Sequence, residues 1–196
     1  MPTEPALRSH TVNVTDARAV VLVEGLSDRR ALEALAVRRG RDLAAEGIAV
    51  VSIGGAQSIG RFLDRFGPQG FDLRLAGLCD AAEEGDFRRG LERAGLGSDL
   101  TRADMERLDF YVCVEDLEDE LIRSLDAAAV EQVIVAQGEF GSFRTFQKQL
   151  EKRQLTREEQ LRGFMWNRKI RYAPLLVGAL DLDRVPRPLD RVLAHL

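Results

Sequence analysis

Apolar residues arrive in this chain as four short, nearly unbroken runs, each followed by glycine or acid and then by a stretch with helical spacing. The first run, Ala19-Val20-Val21-Leu22-Val23, is mostly β-branched and does not alternate, as in a strand buried on both faces of a parallel sheet. Glu24 stands at its carboxyl end, Gly25 permits a tight turn and Ser27 is placed as an N-cap. Ala31, Leu32, Leu35 and Ala36 then set the spacing of an amphipathic helix that reaches about Arg39. A second strand over residues 48–53 leads through Gly54-Gly55 into a helix carrying Phe62, Leu63 and Phe66. A third over residues 71–79 runs into Asp80, and Ala81-Ala82-Glu83-Glu84 opens a helix with Phe87, Leu91 and Ala94. The fourth, over residues 108–114, ends in Glu115-Asp116-Leu117-Glu118-Asp119-Glu120. Four such alternations predict an α/β fold: a mainly parallel sheet of about four strands, flanked by helices and joined by right-handed crossovers.

From about Ser124 the pattern is helical, including Val133-Ile134-Val135, which joins Ala127-Ala128-Ala129-Val130 in one helix. Gly138 and Gly141 separate it from a helix carrying Phe143, Phe146 and Leu150, and Thr156 with Glu159 forms a capping box. The division predicted is an arm over residues 1–18, an α/β domain over 19–125 and a helical extension over 126–196. Within the arm, the alternating Thr11-Val12-Asn13-Val14-Thr15 reads as an edge strand.

Composition narrows the class. The 196 residues suffice for one sizeable core, and 45% hydrophobic and 31% charged residues with 6 prolines exclude a disordered chain. No apolar run approaches the roughly 20 residues of a membrane span, and the first residues carry no leader pattern, so a cytoplasmic protein is expected. Cys79 and Cys113 lie within predicted strands and are read as buried structural thiols. His10 and His195 lie near the termini, which argues against histidine acid–base catalysis and histidine metal sites and leaves the chemistry to carboxylates, lysine and hydroxyls. A net charge of -4 gives no general polyanion footprint, so the placement of charge matters more than its sum.

Open α/β sheets bind ligands at the carboxyl ends of their strands. Three of the four strands end there in acid: Glu24, Asp80, and Glu115 with Asp116. Read alone, the first segment needs no chemistry, since Asp28 would serve the helix dipole and Glu24 a solvated turn. Three acids on one edge repel one another unless a cation neutralises them, and oxygen-only ligands point to Mg²⁺, Mn²⁺ or Ca²⁺ rather than zinc. On the helix beginning at Asp116 two readings stand for Glu118: it faces this site while Asp119 and Glu120 face water or the helix-dipole field, or it belongs with them to a solvated face. Gly54-Gly55 suits either a tight turn or close approach to a phosphate, with no Gly-Lys-Ser/Thr to make it a P-loop. Arg168 and Lys169 lie in the most basic and aromatic segment, residues 163–174, as a surface patch or as cations that neutralise developing phosphoryl charge. Trp166 and Tyr172 are read as core or interface aromatics rather than base-stacking platforms.

Val23-Glu24-Gly25 closing a strand, with a later strand ending in Asp80, resembles the TOPRIM domain of topoisomerases, primases and related nucleases. The finer resemblance is to the C-terminal TOPRIM portion of the OLD (overcoming lysogeny defect) nucleases. It rests on Val23-Glu24-Gly25-Leu26-Ser27-Asp28, Val50-Val51-Ser52-Ile53-Gly54-Gly55, Gly77-Leu78-Cys79-Asp80, residues 116–121 and Lys169-Ile170-Arg171-Tyr172-Ala173, in that order. The resemblance implies metal binding by Glu24, Asp28 and Asp80, a second metal at Asp116 and Glu118, and phosphodiester cleavage assisted by Lys169; Arg168 is a candidate cation from the basic segment alone, outside the resemblance. Mg²⁺ or Mn²⁺ would be the cofactor and DNA, or RNA, the partner. Two departures stand out. Asp80-Ala81-Ala82 replaces the usual Asp-x-Asp, leaving open whether Glu83 or Glu84 substitutes, and no Walker A loop accompanies the domain. The alternative is therefore a weak or inactive module that binds nucleic acid or a separately encoded ATPase partner. An enzyme of small phosphorylated substrates is a third reading, for which no nucleophile is visible.

Overall fold

The computed structural model describes residues 16–194 and 196, so the edge strand expected over residues 11–15 and both histidines lie outside the described residues. Four strands form one sheet: β1 (Ala19–Val23), β2 (Ile48–Ser52), β3 (Arg74–Cys79) and β4 (Phe110–Val112), in the order β2-β1-β3-β4 and all parallel. This is the sheet that the strand–helix alternation predicts. The third and fourth strands are shorter than their apolar runs. β1 is fully buried along its length, which is why its sequence does not alternate.

Successive β1 residues point to opposite faces and found two cores. Val21 and Val23 pack with α1 (Leu26–Arg38), α5 (Leu117–Leu125), α6 (Ala127–Ala136), α8 (Arg157–Met165), α9 (Lys169–Ala179) and α10 (Arg187–Ala194), while α7 (Phe140–Gln147) adds Phe143 to this core. Val20 and Leu22 pack with α2 (Ile59–Phe66), α3 (Glu84–Arg93) and α4 (Arg102–Arg107). The helices after residue 125 therefore share a core with the sheet, and α1 lies along α9. Cys79 and Cys113 are free and buried, and burial pushes both thiols up.

Local departures from the sequence reading have local causes. Gly25, not Ser27, precedes α1, and the Asp28 carboxylate accepts the Gly25 N–H at 2.7 Å. Gly141 lies inside α7, and Leu150 falls beyond that helix with 81% of its surface exposed. Glu120 does not face water: it is buried and accepts the Val114 N–H at 2.8 Å, while Asp119 pairs with Arg123 at 2.7 Å. The capping box at Thr156 and Glu159 forms as read. No described helix is long and apolar enough to cross a membrane.

Candidate metal centre

The chain leaves β1 for β2 on one side and returns to β3 on the other, so strand order reverses between β1 and β3. Loops diverge at such a switch point and open a crevice at the carboxyl ends. Glu24 ends β1 there and Asp80 ends β3.

Glu24 is held from both ends. Its carbonyl accepts the N–H groups of Gly54 and Gly55, both at 3.1 Å, and its Oε1 accepts the Asp80 N–H at 2.8 Å. Gly54 and Gly55 have φ of 74° and 109°, values a side chain would strain. Their amides serve the tight turn and brace Glu24, so this pair is not a phosphate cradle. Glu83 completes the group: one oxygen each from Glu24, Asp80 and Glu83 lie within 4.8 Å of one another. Glu83 arrives there because Ala81–Glu83 is a 3-10 turn, in which side chains three apart eclipse. Glu84 points away to Arg102.

Asp28, Asp116 and Glu118 stand behind this trio. Asp116 caps α5 by accepting the Asp119 N–H at 2.8 Å, and its other oxygen accepts from Arg162 at 2.7 and 3.0 Å. Glu118 is 2% exposed, with Oε2 held by Lys169 Nζ at 2.7 Å. Its Oε1 is buried with no partner among the described residues. Lys169 also lies 3.7 Å from Asp116. Arg168 is not brought to the cluster: it donates to the Phe164 carbonyl at 2.9 Å and pairs with Glu139 at 3.3 Å. Arg162 had no signal in the sequence, because its partner Asp116 lies 46 residues earlier in the chain.

Six carboxylates thus face two cations, Lys169 and Arg162. Burial, then the proximity of Glu24 and Asp28, pushes Asp80 up to about 8. Burial also raises Glu24 to about 7 and Asp28 to about 6, partly offset by their backbone hydrogen bonds. Glu118 is raised by burial despite Lys169. Burial works against the Lys169 charge, but Glu118, Asp116 and Asp80 outweigh it and raise its pKa. The residues fit a hard divalent ion: oxygen donors only, converging within reach of one centre, with an excess of negative charge that a cation would relieve.

Comparison with known proteins agrees with this fold. The family model described as "Overcoming lysogenization defect protein-like, TOPRIM domain" matches residues 17–81, the segment from β1 to just past Asp80. The C-terminal region of the Burkholderia pseudomallei OLD protein superposes with a TM-score of 0.68 at 22% identity, over 91% of this chain and 96% of that one. The C-terminal region of the Xanthomonas campestris pv. campestris OLD protein superposes at 0.70 and 23% identity, over 91% and 93%. No curated protein matches the chain. Residues 17–81 are thus similar to the OLD-like TOPRIM domain, and the chain has the fold of the C-terminal regions of OLD proteins.

Proposed function

We propose that this chain is a divalent-metal-dependent nuclease that hydrolyses phosphodiester bonds of DNA, or of RNA, at the switch-point carboxylates. The observation that carries the reading is the convergence of Glu24, Asp80 and Glu83 oxygens within 4.8 Å, with Lys169 reaching the same cluster through Glu118 at 2.7 Å. These three residues would hold the first ion. Asp28, Asp116 and Glu118 form a second carboxylate position, already partly neutralised by Lys169 and Arg162.

A bound Mg²⁺ or Mn²⁺ supplies Lewis-acid stabilisation of phosphoryl oxygens and an acidified water. The protein's part is to place those charges. The backbone anchors on Glu24 fix one ligand, the 3-10 turn presents Asp80 and Glu83 together, and Lys169 offers a fixed ammonium for charge developing on the phosphate. Arg168 is engaged elsewhere, so Lys169 is the cation assigned this role.

The test is cleavage of supercoiled plasmid and single-stranded DNA with Mg²⁺, Mn²⁺, Ca²⁺ or EDTA, comparing wild type with Glu24→Ala and Asp80→Ala. Nicking that requires metal and both acids is expected. Cleavage retained in both variants would overturn the site. A folded wild type that never cleaves would favour the second reading, a module that binds nucleic acid or a separate ATPase. The satisfied ion pairs of Asp116 and Glu118 are what keep that reading open.

A further inference from the structure

Beside the cluster lies a cleft of about 460 Å³ lined by Leu26, Arg30, Trp166, Lys169, Ile170 and Arg171 among others. Three large apolar side chains are on the surface there: Trp166 is 62% exposed, Leu26 50% and Ile170 43%. Such a group is unusual on the outside of a folded domain and marks a contact site. Tyr172, read together with Trp166 from the sequence as a core or interface aromatic rather than a base-stacking platform, is fully buried. Trp166 is not, because the 3-10 turn Trp166–Arg168 between α8 and α9 lifts it off the core.

Lys169 joins this shelf to the chemistry. Its Nζ lies 4.7 Å from the Trp166 ring centroid and 2.7 Å from Glu118 Oε2, so one ammonium touches both the indole and the carboxylate cluster. Arg30 is exposed on the neighbouring helix, with no ion pair or hydrogen bond among the described residues. A flat aromatic face, flanking apolar contacts and free positive charge, one side chain from a phosphate-cleaving site, match a nucleobase with its phosphate.

We infer that Trp166 stacks an unpaired base of the substrate strand, with the adjoining phosphate directed to Lys169, so that the enzyme takes single-stranded or frayed nucleic acid in preference to intact duplex. Bases inside a duplex have both faces covered and reach such a shelf only after unstacking. The inference rests on the nuclease reading and names its substrate class.

The chain holds a single tryptophan, which makes the contact directly observable. Intrinsic fluorescence is titrated with a short oligo(dT) and with a blunt hairpin duplex, both in EDTA so that no cleavage intervenes. Saturable quenching by the single strand is expected, with the duplex weaker by about tenfold or more. Binding of labelled oligo(dT) to Trp166→Ala should weaken by about tenfold, and Trp166→Phe should restore most of it. Equal quenching by duplex and single strand, no quenching at all, or unchanged affinity in Trp166→Ala would overturn the shelf, even if the protein cleaves DNA with metal. Quenching without metal-dependent cleavage would instead overturn the nuclease reading and leave the base-binding shelf standing.

Discussion

Lys169 and Glu118 form a buried pair in which Glu118 is almost wholly enclosed, with one oxygen on the ammonium and the other without a partner among the described residues. Removing the cation leaves a buried carboxyl to neutralise itself by taking up a proton. Lys169→Met should therefore cost about 2–4 kcal/mol in urea unfolding as well as cleavage activity. Adding Glu118→Met should return most of the stability and none of the activity, which separates the two roles. Glu24 and Asp80 behave in the opposite sense. Each is held at the switch point against burial and like charge, so Glu24→Gln and Asp80→Asn should leave the metal-free protein at least as heat-stable as wild type at pH 8 while abolishing metal-dependent cleavage. Loss of the fold in these variants would show that the carboxylates are structural.

Among the elements, α5 and β3 depend on single contacts. Asp116 caps α5 and also holds Arg162. Asparagine keeps the cap but sets an NH2 group, which cannot accept, where Arg162 donates. Asp116→Asn therefore loses the ion pair alone, and Asp116→Ala, which also loses the cap, should be less stable than it by about 1 kcal/mol in denaturant unfolding. In β3, a Cβ on Gly77 would meet the Phe110 ring of β4 at 2.4 Å. Gly77→Ala should cost about 1–3 kcal/mol by overpacking, and Phe110→Leu in the same chain should recover part of that loss. The same substitutions test the site's frame, because the Cys113 N–H to Cys79 carbonyl bond at 2.9 Å and the Ala81 N–H to Glu115 carbonyl bond at 2.9 Å align the ends of these strands beneath Asp80. A weakened β3–β4 seam should lower cleavage more than it lowers the melting temperature.

For the molecule as a whole, the crowded acids make the metal-free fold sensitive to pH. Their folded-state pKa values lie above the ordinary carboxylate range, about 6 for Asp28, 7 for Glu24 and 8 for Asp80. The native state then binds more protons than the unfolded chain at intermediate pH, so stability falls as pH rises from the ordinary carboxylate range to about 8 and levels off above it. Thermal melts in EDTA should show a lower midpoint at pH 8.5 than at pH 5.5. Saturating Mn²⁺ should narrow that gap, because the ion binds the deprotonated native site and displaces protons from it. A midpoint in EDTA that rises over this interval would show that the cluster is not crowded in solution.

The chain's own pattern determined the sheet and its edge. An unalternating run such as Ala19-Val20-Val21-Leu22-Val23 has no stable place except between two layers of helices, and an acid directly after such a strand must emerge at the carboxyl edge. Glu24 and Asp80 were therefore legible as neighbours before any coordinates, as was the capping box at Thr156, which needs only local spacing. What the tertiary structure decided depends on how distant segments dock. Lys169 and Arg162 meet Asp116 and Glu118 because α8 and α9 pack on α5, and no periodicity specifies which helix faces which. Glu83 rather than Glu84 joins the trio because a turn tightens to 3-10 geometry. Arg168 turns to Glu139, and Trp166 stays at the surface, because a single turn between two helices rotates their side chains away from the faces that spacing alone suggests. Local sequence sets which groups can do chemistry, while the burial and charge that tune them come from residues far away along the chain.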